Sequence, residues 1–233
     1  SRVRFADWHD VRAMDRNGFT VGSHSRRHLI LSRQTATEQA ADLTAARRRI
    51  NEAAAADAAL ASGQDLGPLH GIPIGIKDII ACAESQTTGQ SVVFDPGWYA
   101  GRDAPVVERL RAAGAVITGK LTTMEYACGL PDPSKPYPVP RNPWDPTTWP
   151  GGSSSGSGSG VAAGLFLGAL GTDTGGSIRM PAAFCGITDH KQTYGLVPKA
   201  GCLPLGVTLD HIGPMTRSVA DAAEMLKVLA GFH

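Results

Sequence analysis

The placement of glycine constrains this chain more than any other feature. Of its 28 glycines the densest group falls in residues 151–176, which read GGSSSGSGSGVAAGLFLGALGTDTGG. Gly/Ser-rich runs usually serve as flexible linkers. This one instead leads straight into the apolar run VAAGLFLGAL and then a second glycine-rich turn, GTDTGGS. Glycines placed that way let backbone adopt positive φ or approach another group closely. Phosphate binding at a helix N-terminus is an alternative, but there is no G-x-x-x-x-G-K-[ST] to cradle a nucleotide.

The rest of the chain alternates helical and extended patterns, which predicts an α/β fold. A short helix is expected near Val11–Arg16 and a strand at Phe19–Val21. Thr35 and Glu38 have capping-box spacing, and few breakers follow before Gly63, so one long helix should run to Ala61. GIPIGIKDII reads as a strand that delivers Lys77 and Asp78 at its end. Asp103 is expected to cap a helix through Ala113, with Gly114 stopping it before the strand AVIT. The proline-rich segment 131–150 should be irregular, VAAGLFLGAL helical, and Ser218 the cap of a last helix.

Composition narrows the function. The 22 basic and 21 acidic residues nearly cancel, which argues against nucleic acid or an anionic membrane as partner and favours a small molecule. No membrane span or secretory leader is visible, so a cytoplasmic protein is expected. Cys82, Cys128, Cys185 and Cys202 lack metal-ligand spacing and read as reduced, mostly packing residues.

Ser177 closes the second glycine-rich turn and is the candidate nucleophile. A serine hydroxyl needs a nearby base and donors aimed at the developing oxyanion. Thr174, Gly175 and Gly176 can turn successive N–H groups toward one point. No histidine is close in sequence. A lysine whose pKa is lowered by burial can replace it, and Lys77 and Lys120 both qualify, Lys77 in the more apolar setting.

Several segments, in order, resemble the amidase signature family: GPLHGIPIGIKDII, RLRAAGAVITGKLTTMEYACG, RNPWD, WPGGSSSGSGSGVAAGLFLGALGTDTGGSIRMPAAFCG, TYGLVPKAGCLPLG and LDHIGPMTRSVADAAEML. The resemblance covers about residues 51–233. It implies a mixed β-sheet core covered by helices, without the family's C-terminal part. It also implies a Ser-Ser-Lys triad, with Ser177 as nucleophile, Ser153 as the bridging serine on a cis peptide bond and Lys77 as base. Asp173 and Arg179 would then support the turn, and Asp210 would match a structural position. The reaction implied is hydrolysis of a carboxamide through an acyl-enzyme, with no cofactor and no metal.

The chain departs from that pattern at Asp189, where relatives usually carry glycine, at Gln192, where many have proline, and at Thr122, where asparagine is common. An aspartate at a positive-φ glycine site would strain the backbone. Family members usually continue well beyond the point matched by His233, so a complementing chain or a homo-oligomer is one expectation. A partner-dependent, amidotransferase-like subunit is the alternative to a free-standing amidase. Residues 5–50 resemble a piece of a polysaccharide deacetylase domain through the H-S-x-x-H motif at His24 and His28, which suggests an N-terminal segment, 1–50, ahead of an amidase core, 51–233. Two histidines without a third ligand make a poor catalytic zinc site.

Overall fold

The computed structural model describes the backbone of residues 36–231 and the side chains of residues 48–231. The expected helix and strand before residue 22, Thr35, His24 and His28 lie outside the described residues. The chain divides into two compact units, residues 1–52 and 53–233.

The long helix α1 spans Ala36–Ala61, ending where the breaker pattern places it. Strand β1 (Pro73–Lys77), helix α2 (Pro105–Ala112) and strand β2 (Val116–Leu121) follow. Then come helix α3 (Ser155–Ala162), strand β3 (Gly168–Asp173), helix α4 (Arg179–Cys185) and the short strand β4 (Thr188–Asp189). Strand β5 (His211–Thr216) and helix α5 (Val219–Leu229) complete the order. Among the described residues these strands form one mixed sheet in the order β2-β1-β3-β5-β4. β1 runs parallel to β2 and β3, while β5 is antiparallel to β3 and β4. This is the mixed α/β core expected from the sequence.

Ile74 and Ile76 of β1 are fully buried in a core shared with Val107 and Leu110 of α2 and Met225 and Leu229 of α5. A second cluster, Val161, Phe166 and Ala169, lies under α3, and a third gathers Ile178, Ala182 and Met215 around α4. Side chains alternate along a strand, so burying Ile74 and Ile76 leaves Lys77 at the C-terminal end of β1 with the opposite orientation. Open sheets offer ligand sites at such strand ends.

Two expectations about local structure need correction. The predicted helix VAAGLFLGAL is not one unit: α3 is built from the Ser/Gly run itself, SGSGSGVA, and Gly168–Leu170 belong to β3. Propensity fails here because close packing decides. A Cβ on Gly156 would sit 2.6 Å from the Thr122 backbone nitrogen, and one on Gly158 would sit 2.9 Å from Pro181 Cβ. Asp103 is not the cap of α2, whose N-cap is Ala104. Its carboxylate instead accepts from Ala83 N–H at 2.6 Å and Arg111 Nε at 2.7 Å. Ser218 does cap α5, accepting from Asp221 N–H at 3.2 Å.

The glycine packing makes a prediction opposite in sign to helix propensity. Gly→Ala in a helix normally stabilises by about 1 kcal/mol. Gly156→Ala should instead destabilise by about 1–3 kcal/mol, because its methyl meets Thr122 backbone that cannot rotate away. Chemical denaturation of the two proteins measures this, and a stabilised variant would contradict it.

Candidate active site

Lys77 is completely buried, yet its ammonium group is surrounded by hydroxyls. Nζ lies 2.7 Å from Ser153 Oγ, 2.9 Å from Ser154 Oγ and 2.7 Å from Thr172 Oγ1. Burial, the largest influence, lowers its pKa from 10.5 to about 7, against the opposing pull of Cys202, Asp173 and Asp210. Ser154 has no freedom in this arrangement. Its Oγ accepts from Thr172 N–H at 3.1 Å and donates to the Thr172 carbonyl at 3.2 Å, so toward Lys77 it acts as an acceptor. Ser153 carries the cis peptide bond, Gly152–Ser153, and its carbonyl accepts from Thr123 Oγ1 at 2.8 Å.

The turn after β3 is organised by Asp173, which is fully buried. Its Oδ1 accepts from Gly176 N–H at 2.8 Å, and its Oδ2 accepts from Ile178 N–H at 3.1 Å and Arg179 N–H at 3.4 Å. Arg179 closes a bidentate pair with the same carboxylate at 3.0 and 2.9 Å. Burial alone would raise the Asp173 pKa. The Arg179 guanidinium and the three backbone donors outweigh that and hold it at about 2. Thr174 Oγ1 donates to Asp210 Oδ1 at 2.5 Å, and Asp210 also accepts from Leu205 and Gly206 N–H groups. Asp210 thereby ties the 205–210 loop to the turn.

Ser177 is half-buried, and its carbonyl accepts from Ser154 N–H at 3.1 Å. That bond fixes the turn beside the Ser153–Ser154 segment. Among the described residues Ser177 Oγ has no hydrogen bond, and the N–H groups of Thr174, Gly175 and Ser177 have none either. Of the three residues expected to supply oxyanion donors, Gly176 thus has its N–H engaged by Asp173, while Thr174 and Gly175 keep theirs open.

Lys120, the rival base, is placed elsewhere. It donates to the Ile80 carbonyl and to Thr87 Oγ1 at 2.9 Å, and pairs with Asp78 at 3.3 Å. Burial lowers its pKa too, with Asp78 as the leading opposing influence. The three departures from the family pattern have local accommodations. Asp189 sits in β4 opposite Met215 and outside the positive-φ region, so the expected strain is absent. Gln192 is buried with Nε2 donating to the Ile212 carbonyl at 2.8 Å, and the Thr122 carbonyl receives Gly156 N–H. All four cysteines are free; Cys82 and Cys185 are buried, Cys202 is partly buried and Cys128 is exposed. Among the described residues no group of three or more His, Cys, Asp or Glu side chains is placed to hold a metal ion.

Sequence reasoning missed Ser154, Thr172 and Thr123. Ser154 adjoins Ser153, and Thr172 precedes Asp173 by one residue. The available signal was a hydroxyl on each of two segments already singled out.

The amidase family model matches residues 30–232. This chain belongs to the amidase family. It is 51% identical over 179 residues to the putative amidase AmiD of Mycobacterium tuberculosis, covering 77% of this chain and 37% of that protein. A glutamyl-tRNA(Gln) amidotransferase subunit from Chloroflexus aurantiacus shows the same identity and coverage. The crystal structure of the peptide amidase from Stenotrophomonas maltophilia superposes with a TM-score of 0.70 at 40% identity, over 79% of this chain and 39% of that one. The chain thus spans under two fifths of the length of these relatives. The deacetylase resemblance of residues 5–50 finds no support, since the amidase match reaches back to residue 30, inside that stretch. Among the described residues no helix is long and apolar enough to cross a membrane.

Proposed function

We propose that this chain hydrolyses carboxamides, with Ser177 as nucleophile, Ser153 as proton bridge and Lys77 as base. The observation that carries this reading is the buried Lys77 amine, 2.7 Å from Ser153 Oγ with its pKa lowered to about 7. A neutral amine can accept the Ser153 proton while Ser153 takes the proton of Ser177, and the freed Ser177 oxygen attacks the amide carbon. The N–H groups of Thr174, Gly175 and Ser177 face the developing oxyanion, and Asp173 with Arg179 keeps the turn that presents them. Return of the proton through Ser153 to the nitrogen releases ammonia or an amine. Water then attacks the acyl-enzyme by the reverse path, giving the carboxylate. The Ser153 to Ser177 leg closes on substrate binding, as catalytic hydrogen bonds in unliganded sites commonly tighten in the complex.

Ammonia release from small aliphatic and aryl primary amides, unaffected by chelator, is the expected result. Below about pH 7 Lys77 is charged and unable to accept a proton, so kcat/KM should fall about tenfold per pH unit there and level off above it. A flat profile from pH 5 to 8 would argue against Lys77 as base.

A second reading is favoured by the matching identity to one component of an amidotransferase. Here the same site works only with a complementing chain. Turnover by the isolated chain selects the first reading. Turnover only when the remaining length of a full relative is supplied selects the second.

A further inference from the structure

Ser153 is held from two neighbouring strands. Lys77 ends β1 and pairs in register with Leu121, the last residue of β2, so the two segments leave the sheet side by side. Lys77 brings its amine to the Ser153 side chain, 2.7 Å from Oγ. Thr123, two residues beyond β2, brings its hydroxyl to the Ser153 main chain and donates to the carbonyl at 2.8 Å. The residue before it is tied to the same region, because the Thr122 carbonyl accepts from Gly156 N–H at 2.9 Å. The Ser153 carbonyl shares a peptide unit with Ser154 N–H, which donates to the Ser177 carbonyl at 3.1 Å. One rigid amide plane therefore has Thr123 at its oxygen and the backbone of the candidate nucleophile at its nitrogen. Bonds at the two ends of one amide polarise each other, and with Ser153 1% and Thr123 8% exposed, bulk water does not compete for them.

We propose that Thr123 is a positioning residue of the relay: its hydroxyl fixes the Ser153–Ser154 peptide, and with it the place of the bridging hydroxyl relative to Ser177. The proposal rests on the hydrolase reading above and adds to that site a residue that acts through Ser153. Lys77 sets one end of the relay by a direct hydrogen bond to Ser153 Oγ. The other leg, from Ser153 to Ser177, depends on where the backbone puts the two serines, and the peptide held by Thr123 is what relates them. A misplacement of about 1 Å costs on the order of 10²-fold in rate, so a shift of about half that is enough for a tenfold loss.

Thr123→Val keeps the shape and removes the donor, whereas Thr123→Ser retains it. Thr123→Val should lower kcat for amide hydrolysis about tenfold or more with KM within about twofold, and Thr123→Ser should stay within about threefold of the parent in both. A contribution to folding alone would lower the unfolding temperature without separating kcat from KM in this way. A second readout needs no amide turnover. With diisopropyl fluorophosphate, Ser177 Oγ attacks phosphorus, the P–F bond breaks, fluoride leaves and the hydroxyl proton passes through Ser153 to Lys77. Mass spectrometry of the Ser177 peptide should show labelling about tenfold slower or more in Thr123→Val and close to the parent rate in Thr123→Ser. Labelling of Thr123→Val at the parent rate, or an equal loss in Thr123→Ser, would overturn the proposal even if amides are hydrolysed. A parent protein that takes no label would overturn it as well. Slower labelling confined to Thr123→Val, without turnover of any amide, would uphold the positioning role and remove the hydrolase reading. If Thr123→Val does not fold, Thr123→Cys, whose thiol is a weak donor, carries the same expected loss.

Discussion

Ser177→Ala should abolish amide hydrolysis, lowering kcat/KM about 10⁴-fold or more, while leaving the fold intact. The first half follows from removing the atom that forms the acyl-enzyme, a loss of that order in serine hydrolases. The second follows from geometry. Ser177 Oγ has no hydrogen bond among the described residues, and the bond that ties this residue to Ser154 uses its backbone carbonyl. Stability should therefore change by less than about 0.5 kcal/mol, within the range of substitutions that break no buried contact. Ammonia release and thermal unfolding on the same preparations measure both. Loss of activity together with a large loss of stability would show that Ser177 is a structural residue.

Lys77→Met should also reduce turnover by several orders of magnitude, and it should change the dependence of stability on pH. The folded chain holds Lys77 at a pKa of about 7, against 10.5 for an ordinary lysine. Between those values the unfolded chain binds a proton that the folded chain has released, so the parent protein gains stability as pH rises. From pH 7, where half the folded molecules have already released the proton, to pH 9 the gain is about 2 kcal/mol, the slope rising towards about 1.4 kcal/mol per unit. Methionine does not titrate, so the stability of the variant relative to the parent should fall over that interval. The hydroxyls of Ser153, Ser154 and Thr172 lose a partner in the variant, a cost independent of pH that shifts the curve without changing its slope. Unfolding measured at pH 6, 7, 8 and 9 separates the two contributions. Parallel curves for parent and variant would mean that Lys77 stays charged in the folded protein.

The sequence makes individual segments legible where one local rule dominates. Alternating isoleucine and glycine mark β1 and place Lys77 at its end, and Ser218 caps α5 through its own side chain. The glycine-rich run marks a site because so many glycines have no other use. What it hides is tertiary. Ser-Gly-Ser-Gly looks like a linker until Thr122 and Pro181 occupy the space that larger side chains would need. Asp103 stands where a helix cap is expected, but a half-buried arginine competes for its carboxylate and wins. Ser154 and Thr172 become partners of Lys77 only when β1, β3 and the start of α3 converge, and no spacing in the chain encodes that meeting. Gly176 resembles Gly175 in sequence, yet its N–H is held by Asp173. Lys120 illustrates the limit from the other direction: it is partly buried and its pKa is lowered, but Asp78 lies beside it and the serines do not.

The most direct test is the titration of Lys77 itself, followed by nitrogen-15 NMR of the lysine Nζ resonances and assigned with Lys77→Met. A midpoint near pH 7 agrees with an amine that is neutral when it must take a proton from Ser153. A midpoint near 10.5 would leave Ser177 without a base and contradict the relay.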